Sequence, residues 1–140
     1  MFLLAAVVPT FASGLKSLNA DQIAALVQRA ETAQPDEQCY LYAQVVSQLG
    51  NVADQQLASG DADHASQTLA TIEKYSERMH QTLGPRNKKL KESEILVRET
   101  ARRIDGMFHR AELEQQEMLR STLHKLNALQ SELMMNVFQK

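Results

Sequence analysis

Four cations crowd the stretch Leu83–Thr100, "LGPRNKKLKESEILVRET": Arg86, Lys88, Lys89 and Lys91 follow Gly84 and Pro85. Gly-Pro reads as the end of one helix and the start of the next. A helix start already carries partial positive charge and favours acidic residues. Cations there need another reason. One reading is structural. Lys88–Glu92, Glu94–Arg98 and Glu99–Arg103 are each four apart and can pair along a helix. Arg86, Lys89 and Lys91 would then neutralise the last carbonyls of the preceding helix. The other reading is an anion site, in which the cations and free backbone N–H groups bind phosphate, an acidic headgroup or an acidic protein patch. Nucleic acid is not an expected partner. No aromatic residues interleave with these cations to stack bases, and the formal net charge is -2.

Metal and nucleophile chemistry have thinner support. Glu77 and His80 form one Glu-x-x-His, whereas carboxylate di-iron bundles use two such motifs plus two further inward glutamates. Asp61 and His64 sit at the far end of the same predicted helix, where Asp61 explains itself as an N-cap. His109 and His124 lack zinc-ligand spacing. No Gly-x-Ser-x-Gly, His-Glu-x-x-His or glycine-rich phosphate loop occurs. Neither an enzyme nor a cofactor is expected. Cys39 is the only cysteine, so an intramolecular disulfide is impossible. Its apolar neighbours suit a buried thiol.

"LMMNVF", Leu133–Phe138, supplies a third candidate. Six consecutive helical residues cannot all face one core. Met134, Met135 and Phe138, with Met118, could offer a soft apolar surface to a protein partner or to a second copy. At least one of Met134 and Met135 should face outward.

The elements that must position these residues are helical. The chain has 140 residues, enough for one domain with a sizeable core, and only 3 Pro and 5 Gly. No stretch alternates with period two, so no strand is expected. Asn19 and Gln22 form a capping box, with Leu18 and Ile23 as a hydrophobic staple. A short helix then runs to about Ala33. Pro35, Asp36 and Glu37 open a second helix, striped by Cys39, Tyr42, Val46, Leu49, Ala53 and Leu57, with Gly50 as a bend or a place where another backbone comes close. Gly60 ends it and Asp61 caps the third. The third helix carries Ala65, Leu69, Ile72, Ser76, Met79 and Leu83, a seam of heptad spacing. The fourth shows Leu90, Val97, Ala101, Ile104 and Phe108. The fifth shows Leu119, Thr122, Leu126, Leu129, Leu133 and Val137. Between them, around His109–Glu112, no good cap residue marks the boundary, and one bent helix is the alternative.

These patterns predict an all-α fold: an antiparallel up-down bundle of four long helices plus a shorter N-terminal helix. Two stacked hairpins are the alternative. Gly60, Ala65, Leu69 and Ile72 resemble half of a tetratricopeptide unit, but Ala53 and Gln56 stand where that pattern wants Gly and Tyr, and no second copy follows. Charge is split along the chain. Residues 1–83 carry four Lys/Arg and nine Asp/Glu, hence -5; residues 84–140 carry eleven and eight, hence +3. The halves can complement each other within the fold.

The apolar run Phe2–Val8 is too short to span a bilayer. With Thr10 and Ala12 it reads as the end of a secretory signal cut after Ala12, without the basic leading segment. Residues 1–12 are thus a candidate signal remnant and 13–140 a single bundle domain. "LNADQ", Leu18–Gln22, resembles the Leu-Thr-x-x-Gln signature of the small Spy-like and CpxP-like periplasmic helical proteins, with Asn19 in place of Thr. That resemblance implies a periplasmic chaperone or stress sensor. The residues themselves imply a non-enzymatic binding or scaffolding protein, of the cell envelope if the start is a signal and a cytosolic adaptor if it is not.

Overall fold

Asn19 caps the first helix as its residue type predicts. Its Oδ1 accepts the Gln22 N–H at 2.8 Å, and Gln22 Oε1 accepts the Asn19 N–H at 3.0 Å. The computed structural model describes residues 16–139. Among them lie five helices: α1 Ala20–Thr32, α2 Pro35–Ala58, α3 Ala62–Thr82, α4 Leu90–Arg110 and α5 Leu113–Phe138. No strand occurs among the described residues. The Phe2–Val8 run and the cut expected after Ala12 lie outside them.

The predicted stripes supply most of the core, with Leu49, Leu57, Leu83, Phe108 and Val137 only partly buried at its edge. Ala65, Leu69, Ile72, Ser76 and Met79 of α3 are buried, as are Leu90, Val97, Ala101 and Ile104 of α4. Leu119, Thr122, Leu126, Leu129 and Leu133 of α5 join them. α2 is buried on more than one side: Leu41, Ala43, Val45 and Gln48 are enclosed along with Cys39, Tyr42, Val46 and Ala53. The reason is that α1, α3 and α4 all pack on it. Helix α1 is held by a side chain. The Gln48 amide donates to the Lys16 carbonyl at 2.7 Å and accepts the Leu18 N–H at 3.0 Å.

Consecutive long helices alternate in direction, forming the expected up-down bundle. The neighbours are α2–α3, α3–α5, α5–α4 and α4–α2, while α3 and α4 do not touch. The bundle is therefore two hairpins side by side. A three-residue turn at Ser59–Asp61 closes the first, with Gly60 at φ 83 and Asp61 donating its N–H to the Gln56 carbonyl at 2.8 Å, a left-handed helix stop that glycine adopts without penalty. Like helices stack in parallel. Asp54, late in α2, accepts from Arg103 at 3.2 Å and Arg110 at 3.1 Å, both late in α4. The expected Glu99–Arg103 pairing is replaced by this contact. On the other flank, Thr122 of α5 donates to Glu73 of α3 at 2.8 Å.

α4 and α5 are separate helices. Ala111 and Glu112 are both extended. Gln116 ends α4 by donating to the Phe108 and Ala111 carbonyls at 3.3 Å, which supplies the missing cap from the next helix.

His80 Nδ1 lies 2.7 Å from Glu132 Oε1, linking α3 to α5. The Glu132 hydrogen bond and charge, with the Glu77 charge behind them, push the His80 pKa up. His124 and Lys125 of α5 line the same groove. A raised folded-state pKa favours the folded chain fully below the unfolded value of about 6.5, and that contribution disappears as pH rises through the raised value. The thermal midpoint is thus expected to fall between pH 6 and pH 8.5 more in the native chain than in His80→Gln. Parallel pH profiles for the two would contradict the coupling. His80 is half-exposed, so the effect is small.

Candidate functional site

Only one of the four cations of the opening stretch sits on the helix that follows them. Three precede it: Arg86 and Lys88 lie in the connector from Leu83 to Lys89, and Lys89 is the N-cap of α4. Only Lys91 is inside the helix. The connector crosses the end of the bundle because α3 and α4 are diagonal, and it is tied to the start of α2. The buried Asn87 side chain accepts the Gly84 N–H and donates to the Pro35 carbonyl at 3.4 Å. The Lys88 N–H donates to the Asp36 carbonyl at 2.8 Å. Lys88 Nζ reaches Glu37 at 3.5 Å and Asp36 at 3.9 Å, in place of the expected Glu92. The Glu94–Arg98 pair does form, at 3.4 Å.

Lys89 makes the turn into α4 with φ 58 and ψ 40. It is the single non-glycine residue with positive φ among the described residues, and an L side chain in that region costs about 1–2 kcal/mol. No side chain caps the α4 start. The left-handed backbone directs the Lys89 ammonium over the Tyr40 ring, 5.0 Å from its centroid. Beneath it opens a cleft of about 420 Å³, lined by Arg29 of α1, by Glu37, Tyr40 and Gln44 of α2, and by Lys88 and Lys89. Lys88 is balanced by carboxylates. Neither Arg29 nor Lys89 has a carboxylate partner among the described residues. Arg86 lines a separate hollow with Thr82, Pro85 and Asn87, and Lys91 is exposed. Thus two of the four expected residues, Lys88 and Lys89, share a site. Arg29, Tyr40 and Gln44 join them unannounced by any local motif, because α1 and the connector meet only in three dimensions.

Met134, Met135 and Phe138 face outward, at 37%, 62% and 80% exposure. They flank a shallow depression on the last two turns of α5, rimmed by Gln130, Ser131 and Gln139. Among the described residues the rim carries no charge. Met118 is not part of this surface: it packs against the core, four turns upstream. The patch lies at the same end of the bundle as the cleft, since α5 ends where α4 begins.

The remaining candidates are structural. Cys39 is fully buried, and burial pushes its thiol up to about 11 against a lowering hydrogen bond from Ser93, so thiolate chemistry at neutral pH is disfavoured. Among the described residues no three His, Cys, Asp or Glu side chains gather closely enough to hold a metal ion. No described helix is long and apolar enough to cross a membrane.

No family model, curated protein or solved structure matches this chain. The five residues that resemble the Spy-like and CpxP-like signature include the Asn19–Gln22 capping pair of α1.

Proposed function

We propose that the chain is a non-enzymatic helical binding and scaffolding protein of the cell envelope, working as a weak homodimer joined through the last two turns of α5. The observation that supports this reading is the outward Met134, Met135 and Phe138 with their uncharged rim. Two copies can meet there without like-charge repulsion, although each chain carries a net charge of -2. Methionine side chains adapt to a self-complementary contact, and Gln130, Ser131 and Gln139 supply hydrogen bonds around its edge. Three anchoring residues are far fewer than the roughly 20–30 residues per side of a stable interface. The dimer is therefore micromolar or weaker. Pairing would present two cation clefts on one scaffold, so a partner with two anionic groups gains from bivalency. The envelope assignment rests on the apolar Phe2–Val8 run and the small residues Thr10 and Ala12.

Sedimentation equilibrium over a concentration series tests the contact. The native chain should rise from monomer towards dimer mass. Met135→Glu with Phe138→Glu should stay monomeric at every concentration and keep its thermal midpoint, because both side chains are exposed. A native chain that remains monomeric at near-millimolar concentration would overturn the reading.

A further inference from the structure

We infer that the cleft between α1, α2 and the start of α4 binds a phosphate monoester through Arg29 and Lys89, independently of the α5 contact. Charge balance selects the ligand. Lys88 is neutralised by Glu37 at 3.5 Å, which leaves Arg29 and Lys89 as two uncompensated cations on one cleft. A phosphate monoester carries about -1.5 to -2 at neutral pH. A single carboxylate would leave one cation unmatched. The Arg29 guanidinium can grip two phosphate oxygens at once, and the Lys89 ammonium acts as a mobile point charge. Tyr40 and Gln44 add a hydroxyl and an amide on the cleft wall. The volume of about 420 Å³ falls in the range of small-molecule sites, with room for a small organic group beside the phosphate.

The backbone of Lys89 is the second, independent sign. Glycine would make the same left-handed turn without strain. Strained residues of this kind concentrate at ligand clamps, where the side chain's position is worth the cost. Here the strain places a cation over an aromatic ring at the mouth of a cleft, ready to move onto an anion.

An NMR titration of the full chain tests this, read at the amides of Tyr40, Gln44 and Lys89. The probes are inorganic phosphate, glycerol 3-phosphate, and phosphatidylcholine vesicles with and without phosphatidate. Saturable shifts with glycerol 3-phosphate but not with phosphatidate vesicles identify a soluble ligand. Tighter binding to phosphatidate vesicles identifies a lipid headgroup. Arg29→Gln with Lys89→Gln should weaken binding about tenfold or more, while Arg102→Gln with Lys125→Gln, the same loss of two charges at exposed sites on α4 and α5, should not. Lys89→Gly should raise the thermal midpoint and still lose affinity, which separates binding from folding. No saturable shift with any probe, or equal affinity in the Arg29/Lys89 double variant, would overturn the assignment.

Discussion

Gly50→Leu is expected to destabilise the bundle by about 2–3 kcal/mol, with a urea midpoint shifted down accordingly. Gly50 is in mid-α2, where glycine alone should cost about 1 kcal/mol against alanine. The packing explains it. A Cβ built there would lie 3.0 Å from Thr100 Cγ2 and 3.9 Å from Arg103 Cδ on α4. Thr100 cannot swing aside freely: it is buried, and its hydroxyl donates to the Leu96 carbonyl at 2.8 Å. Leucine would have to push α2 off α4 along their whole parallel contact. Gly50→Ala alone should therefore forfeit most of its helix-propensity gain. In a Thr100→Ser background the interfering methyl is gone and the hydroxyl bond can remain. There Gly50→Ala should stabilise by about 1 kcal/mol, giving a coupling of about 0.5–1.5 kcal/mol in a double-mutant cycle. Additive effects would mean that the close approach is not what keeps this position glycine.

Gln48→Leu is the second large effect, about 2 kcal/mol. Its amide acts as a two-point clamp on the Lys16 carbonyl and the Leu18 N–H. Leucine fills similar space but leaves both backbone groups without that partner. Helix α1 packs on α2 and meets α3 through the Arg78–Glu31 ion pair at 4.0 Å near its far end, so little else holds its start. The loss should be local. Amide exchange should accelerate over residues 16–32 and stay slow in α3 and α5. Uniform acceleration across the bundle would show that Gln48 supports the core and not the α1 attachment.

Much of this was legible in the chain because the signals were local. The α3 seam repeats at 4, 3, 4, 3, 4 and faces one core, so five of its buried residues could be read, while Tyr75, buried beside the seam, was missed and Leu83 is only partly buried. Asn19 and Asp61 announced their helices by residue type. The α4–α5 break was only half legible, since its cap comes from Gln116, one turn into the following helix, and not from a residue at the boundary. The cation stretch misled for a related reason. Spacing alone paired Lys88 with Glu92, whereas the diagonal crossing of the connector brings Lys88 to Asp36 and Glu37, some fifty residues away. The cleft was out of reach of pattern reading altogether. It depends on where α1 lies, which depends on one glutamine in mid-α2, and on a left-handed lysine that no propensity would place there. Outward methionines at the α5 end were foreseeable, because five apolar residues within six consecutive helical positions exceed what one helical face can bury. Gly50 reads as a bend or as a place where another backbone comes close; the neighbour is instead the Thr100 side-chain methyl.

The proposed scaffold stands or falls on whether α5 is its contact. A dilution series of amide spectra, from near-millimolar protein to tens of micromolar, measures this most directly. Concentration-dependent shifts are expected to be confined to residues 130–139 and absent in the Met135→Glu/Phe138→Glu chain. Spectra that do not change on dilution, or changes centred on another surface, would contradict it.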